Sequence, residues 1–159
     1  MLPVVLTEAL APFEFAVAGA LIREYAADLN VDSCSQEIDA EIDSLPEVYG
    51  APGGCLLVAR SGAELVGCGA LRRFDAEICE MKRLYVRAQA RGSGAGRILS
   101  ESLIAKGRAL GYAVMRLDTL AHLAAACELY RSLGFLEIGA YYDNPLPNAV
   151  YMELDLSAG

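Results

Sequence analysis

The chain has 159 residues, 55% of them hydrophobic and 21% charged, which suits one sizeable core and argues against disorder. A formal net charge of −8 excludes general nucleic-acid binding, which needs a basic face, and no apolar run approaches the ~20 residues of a membrane span. Five unpaired-looking cysteines, none in a C-x-x-C pair, and an N-terminal apolar stretch broken by Pro12 and Glu14 predict a reduced, cytoplasmic, single domain over residues 1–159.

Val4 to Leu6 suits a short first strand. Pro12 to Asn30 reads as a helix, with Phe13, Val17, Leu21 and Tyr25 recurring every four residues and Pro12 suited to the first turn. Ser35 to Ile42 is a shorter helix capped by Ser35. Pro46, Gly50, Pro52, Gly53 and Gly54 then mark a loop. Cys55 to Ala59 and Leu65 to Leu71 form a hairpin around a turn at residues 60–63.

Glu77 to Val86 is the next strand. Its apolar parity shifts from Cys79 and Met81 to Leu84 and Val86, as a single extra residue, a bulge, would cause. A helix follows from about Gly94 to Leu110, with Ile98, Leu99, Leu103 and Leu110 on one face. Val114 to Leu117 is a strand, His122 to Leu133 a helix ended by Gly134, and Phe135 to Gly139 and Val150 to Leu156 the last strands. Hairpins beside β-α-β crossings predict a mixed sheet with helices on both faces.

Charge is unevenly spread. Residues 1–50 carry ten acidic side chains against Arg23 alone, while residues 81–100 carry Lys82, Arg83, Arg87, Arg91 and Arg97 and no acid. The expectation is an anion for the basic window and a cation for the first third.

Within that window, strand residues Leu84-Tyr85-Val86 run into Arg91-Gly92-Ser93-Gly94-Ala95-Gly96-Arg97, where a helix begins. Glycines let a ligand approach the backbone, and the first amides of a helix have no intrahelical acceptor. Together they make an anion site, to which Arg91 and Arg97 add charge. A P-loop would need Gly-Lys-Ser/Thr, and the dinucleotide fingerprint needs G-x-G-x-x-G, whereas the chain has Gly92-x-Gly94-x-Gly96.

Gln89-x-x-Gly92-x-Gly94 and Arg91-x-x-Gly94-x-Gly96 resemble the acyl-CoA-binding motif of the GNAT superfamily of N-acyltransferases. Glu80-Met81-Lys82-Arg83-Leu84-Tyr85-Val86 and Ala126-x-x-Leu129-Tyr130-x-x-x-Gly134-Phe135 are similar to that family's segments in the same order. The resemblance implies an α/β (α+β) fold: a mixed, mostly antiparallel sheet of six to seven strands flanked by about four helices. It implies amides from Arg91 to Arg97 on a pyrophosphate, and main-chain groups of Leu84, Tyr85 and Val86 along the pantetheine arm. It also implies a bulge that splays the strand to admit the thioester. Leu123 departs from the family, many of whose members carry an asparagine there.

Acyl transfer to an amine needs a neutral amine, a stabilised oxyanion and a proton for the leaving thiolate. The resemblance makes Tyr130 the candidate acid and Glu80 the candidate base acting through water, with Glu77 its rival. His122, the one histidine, is read as a cap or surface group, and Tyr141 to Asn144 as a loop that could border the acceptor. No cysteine–histidine spacing suggests a metal. The implied function is an acetyl-CoA-dependent N-acetyltransferase acting on a small or amino-acid-like primary amine, with homodimerisation left open. A peptide acceptor, a non-catalytic acyl-CoA-binding module and a nucleotide-binding protein are the other readings.

Overall fold

The computed structural model describes residues 2–29, 35–144 and 146–157. The expected helix end at Asn30, the thiol of Cys34, the side-chain cap of Ser35 and the backbone at Pro145 lie outside the described residues. The elements are β1 (Val4–Glu8), α1 (Pro12–Leu29), α2 (Ser35–Ile42), α3 (Leu45–Tyr49), β2 (Cys55–Ser61), β3 (Glu64–Arg73), β4 (Ile78–Val86), α4 (Ala95–Ala109), β5 (Val114–Leu120), α5 (Ala124–Ser132), β6 (Leu136–Ile138) and β7 (Ala149–Asp155), with a 3-10 turn at Ala88–Ala90. The strands form one mixed sheet in the order β1-β2-β3-β4-β5-β7-β6. Every neighbouring pair is antiparallel except β4 and β5. The expected mostly antiparallel sheet is therefore present, with one helix more than expected.

Each face of the sheet carries a core. Cys79 and Met81 of β4, Met115 and Leu117 of β5 and Met152 of β7 pack with Leu99 and Leu103 of α4 and Cys127 and Tyr130 of α5. On the opposite face, Val58, Cys68 and Ala70 pack with Phe15, Ala18, Leu21 and Ile22 of α1, Ile38 of α2, and Leu45 and Tyr49 of α3. Side chains alternate across a strand, so Glu80, Arg116, Asp118, Tyr151 and Glu153 project to this second face. The glycine-rich stretch expected as a loop contains α3, whose first turn accepts Pro46.

Two helix faces differ from expectation. The buried residues of α1 are Phe15, Ala18, Gly19, Leu21 and Ile22, while Phe13 is 75% exposed. Glu14 accounts for the difference, because its carboxylate folds back to accept from the amides of Leu10 and Ala11 and fixes the first turn at the surface. In α4 the buried face is Ala95, Leu99, Ser100, Leu103, Ile104 and Gly107. Ile98 and Leu110 are exposed. No described helix is long and apolar enough to cross a membrane.

Candidate active site

The site begins with how β4 and β5 part. They pair at three positions, Ile78 with Val114, Cys79 with Met115 and Glu80 with Arg116. Beyond these, β4 continues to Val86 and β5 to Leu120 with no pairing between them among the described residues. The sequence contains the cause. Opposite β3, the register slips by one residue between Lys82 and Tyr85, as the parity shift predicts. Arg83, at the slip, holds a left-handed φ of 59°, which is costly for a residue with a Cβ.

A cavity of about 830 Å³ lies along the far end of β4. It is lined by Leu84, Tyr85 and Val86 on one side, by Leu123, Ala126, Leu129 and Tyr130 on the other, and by Arg91 to Arg97 at one end, Ser93 excepted. That volume is in the range of sites for cofactor-sized ligands, ~300–1,000 Å³.

The loop supplies donors, fewer than expected. Among the described residues the amides of Gly92, Gly94, Gly96 and Arg97 have no acceptor. Those of Arg91 and Ser93 bond to the carbonyls of Ala88 and Ala90, and that of Ala95 lies 3.3 Å from Ser93 Oγ. Gly92 and Gly94 have φ of 85° and 88°, and Gly94 is the residue from which α4 starts. Four open donors at a helix N-terminus, in reach of a large cavity, fit a diphosphate. Leu84, Tyr85 and Val86 of β4 line the same cavity, and Val86 O accepts from Arg91 Nε at 3.1 Å.

Tyr130 lines this cavity and also a smaller one of about 100 Å³ on the far side. Burial pushes its phenol well above the ordinary range, with negative groups including Asp118 adding to the effect. The smaller cavity is lined by Tyr25, Lys82, Arg83, Asp118 and Thr119 among others, and not by Glu80. Asp118 Oδ1 accepts from Lys82 Nζ at 3.2 Å. Its Oδ2 accepts from Tyr142 Oη at 2.7 Å and Asn144 Nδ2 at 3.0 Å. The loop of Tyr141 to Asn144 therefore borders the site through Asp118.

The sequence pattern of the acetyltransferase (GNAT) family matches residues 20–135. The chain belongs to that family. It is an acyltransferase, and it is 42% identical over 139 residues to an uncharacterised N-acetyltransferase of Schizosaccharomyces pombe, covering 86% of this chain and 85% of that one. It is 33% identical over 104 residues to N-acetylaspartate synthetase of Danio rerio, covering 65% of this chain and 37% of that one. A GNAT family acetyltransferase from Elizabethkingia anophelis, solved with acetyl-CoA bound, shares the fold at 19% identity with a TM-score of 0.67, covering 96% and 97% of the two chains.

In this acetyltransferase Glu80 has a different setting from the one expected of a base. It is 1% exposed, and both oxygens hold a donor at 2.7 Å, Arg72 Nε on Oε1 and Tyr141 Oη on Oε2. Register places Arg72, Glu80, Arg116 and Glu153 side by side across β3, β4, β5 and β7. Arg116 Nε bonds Glu153 at 2.9 Å, and its guanidinium lies over the Tyr141 ring at 5.1 Å. Charges alternate along this ladder, so each offsets its neighbour's desolvation. Glu77, the rival base, is exposed at the turn before β4, and His122 is exposed ahead of α5.

The charge division also resolves differently. Arg83 donates to Glu41 from Nε at 2.7 Å and Nη2 at 2.8 Å. Arg87 Nε donates to Glu24 at 3.0 Å, and Arg91 lies 3.6 Å from Asp28. Arg97 reaches Ser132 Oγ at 2.6 Å and Glu101 at 3.7 Å. Three of the five bases are thus paired with acids of the first third, and the expected external cation partner loses its main support. Sequence reasoning missed Asp118. Its signal was available: in Met115-Arg116-Leu117-Asp118 the apolar parity turns Asp118 away from the α4 core. Among the described residues no group of His, Cys, Asp and Glu could hold a metal.

Proposed function

We propose that this acyltransferase moves an acetyl group from acetyl-CoA to the primary amine of a small or amino-acid-like acceptor, by direct attack while both are bound. The observation that carries the reading is the large cavity along β4, which runs from four open amides to Tyr130 and meets there a second cavity in the opening between β4 and β5. Gly92, Gly94, Gly96 and Arg97 hold the diphosphate through main-chain N–H groups, with Ser93, Ala95 and Arg91 shaping the loop. Leu84, Tyr85 and Val86 line the pantetheine arm, and Leu123 gives it an apolar contact in place of an amide. The four described cysteines are buried free thiols, in keeping with a cytoplasmic setting.

The residues act on protons. The acceptor enters as an ammonium and must lose one proton before its nitrogen can attack and a second as the amide forms. One proton ends on the departing sulfur and one in solvent. Tyr130, kept neutral by burial, donates to the sulfur as the carbon–sulfur bond breaks. Glu80, the expected base, is 1% exposed and lines neither cavity. Asp118 is the acid that lines the cavity beside Tyr130, so we assign the first proton to Asp118, directly or through water. Glu80 positions Tyr141 and the loop that braces Asp118. The Danio rerio relative, named for N-acetylaspartate, supports an amino-acid-like acceptor.

The test is release of coenzyme A thiol from acetyl-CoA across a panel of amines, paired with calorimetry of acetyl-CoA binding. Binding with amine-dependent thiol release supports the reading. Binding with no turnover favours a non-catalytic acyl-CoA-binding module, and stabilisation by ATP without acetyl-CoA binding removes the assignment.

A further inference from the structure

Lys82 and Asp118 form a largely buried ion pair, with side-chain exposures of 11% and 14%. Its anionic side is well bonded, with Tyr142 and Asn144 also donating to Asp118, but its cationic side is not. An ammonium has three N–H donors, and among the described residues Lys82 Nζ has Asp118 Oδ1 as its one acceptor. The face of the Tyr142 ring lies 6.0 Å from it. A buried cation with spare donors calls for another anion. Arg83 lines the same cavity, and its Nη1 has no acceptor among the described residues, since Nε and Nη2 serve Glu41.

Counting Glu41 behind Arg83, the charges at this cavity are two positive and two negative. A ligand that is neutral overall but carries both signs adds no uncompensated charge to such a place, whereas a bare alkylammonium does. The cavity, about 100 Å³, is also small beside those that take drug-sized ligands, ~300 Å³ and above.

We propose that this cavity selects a small zwitterion, a free amino acid or close analogue, by exchange of ion-pair partners: the acceptor's ammonium replaces Lys82 at Asp118, and its carboxylate takes up the freed donors of Lys82 and Arg83. The proposal rests on the acyltransferase reading above and narrows it. The exchange keeps every buried charge paired before and after binding, and it sets the amine beside Tyr130, which borders both cavities. A peptide N-terminus offers the ammonium without the adjacent carboxylate and leaves Lys82 unanswered.

The experiment compares free amino acids with their carboxamides as acceptors, using acetyl-CoA thiol release. The carboxamide keeps the amine, removes the anion and mimics a peptide N-terminus. The expected result is a kcat/KM at least tenfold higher for the best acid than for its amide. Lys82→Gln lowers the acid's kcat/KM at least tenfold more than the amide's, with acetyl-CoA affinity by calorimetry unchanged. Should the variant fail to fold, the acid–amide comparison on the unaltered enzyme decides alone. Amides used as well as acids overturn the proposal, as does an equal loss for both in Lys82→Gln. Acetyl-CoA binding without transfer to any amino acid also overturns it and leaves the coenzyme site standing; no acetyl-CoA binding removes the parent reading itself.

Discussion

Burial holds the phenol of Tyr130 protonated across the physiological range, which suits a donor and rules out a base. Tyr130→Phe removes that proton and little packing, since the ring keeps its edge contact with Phe135. We expect kcat to fall at least about tenfold with acetyl-CoA affinity kept, as for a group acting in the transition state. The two carboxylates separate by their neighbours. Asp118→Asn should cut kcat/KM for the acceptor by ~100-fold with acetyl-CoA affinity kept. Glu80→Gln should keep most of that kcat/KM and instead lower stability, because Arg72 loses its anion at 2.7 Å in a buried place. If Glu80→Gln costs as much kcat/KM as Asp118→Asn, the assignment of Asp118 is wrong. Glu80 and Tyr130 could be singled out in the sequence because they sit in segments with a recognisable order. Asp118 lies in an ordinary strand, and what marks it out, Lys82 and the Tyr142 and Asn144 side chains, is 24 or more residues away.

At the level of elements, the glycines of the loop divide into two kinds. Gly94 has φ 88° with open space where a Cβ would be, so Gly94→Ala meets strain and no clash. A left-handed residue with a Cβ costs ~1–2 kcal/mol, which for a domain of this size is a fall in Tm of roughly 2–8 °C. Gly96 is helical, and its added Cβ would lie 3.4 Å from Leu129 Cδ2 and 3.7 Å from Val86 Cγ2, inside the cavity lining. Gly96→Ala should leave Tm level or raised, because alanine is the better helix former by ~1 kcal/mol. It should nonetheless raise the KM for acetyl-CoA. Thermal melts and steady-state kinetics on the pair check both. The bulge in β4 was legible because a one-residue slip reverses apolar parity, and the parity of Cys79, Met81, Leu84 and Val86 is written in the chain. The buried stripe of α1 was not. Its phase depends on Glu14 folding back at the first turn, which periodicity does not report.

Across the whole molecule, three acids of the first third and three bases of the basic window meet in ion pairs. The division was plain in the sequence, but its meaning was tertiary: residues 24, 28 and 41 meet residues 87, 91 and 83 only after folding. Burial alone would raise the Glu41 carboxyl, yet the Arg83 hydrogen bonds outweigh it and the group ends below its ordinary value. The Arg87 hydrogen bond likewise lowers Glu24. A depressed carboxylate contributes stability that is complete above its unfolded value, about 4.5, and is lost as pH falls through the folded value. Tm should therefore stay level from pH 8 to about 5 and drop below about 4.5. Glu41→Gln should lower Tm at pH 7 by about 5 °C, since it strands a mostly buried guanidinium, and should flatten the acid drop. A variant that melts like the parent at pH 7 would refute the role given to this pair.

The three-residue seam between β4 and β5 means that the sheet is two panels, β1 to β4 and β5 to β6, joined along a short hinge. Main-chain groups of β4 past Glu80 border a gap where a neighbouring strand would otherwise bond them. A thioester arm laid in that gap would act as an eighth strand and supply the missing seam. Loading the donor would then do more than deliver an acyl group: it would reinforce the Lys82–Asp118 bond that ties the panel bearing Lys82 and Arg83 to the panel bearing Asp118. The acceptor pocket, whose walls come one from each panel, would be held more firmly with the donor in place, so the coenzyme would be expected to bind first and the amine second.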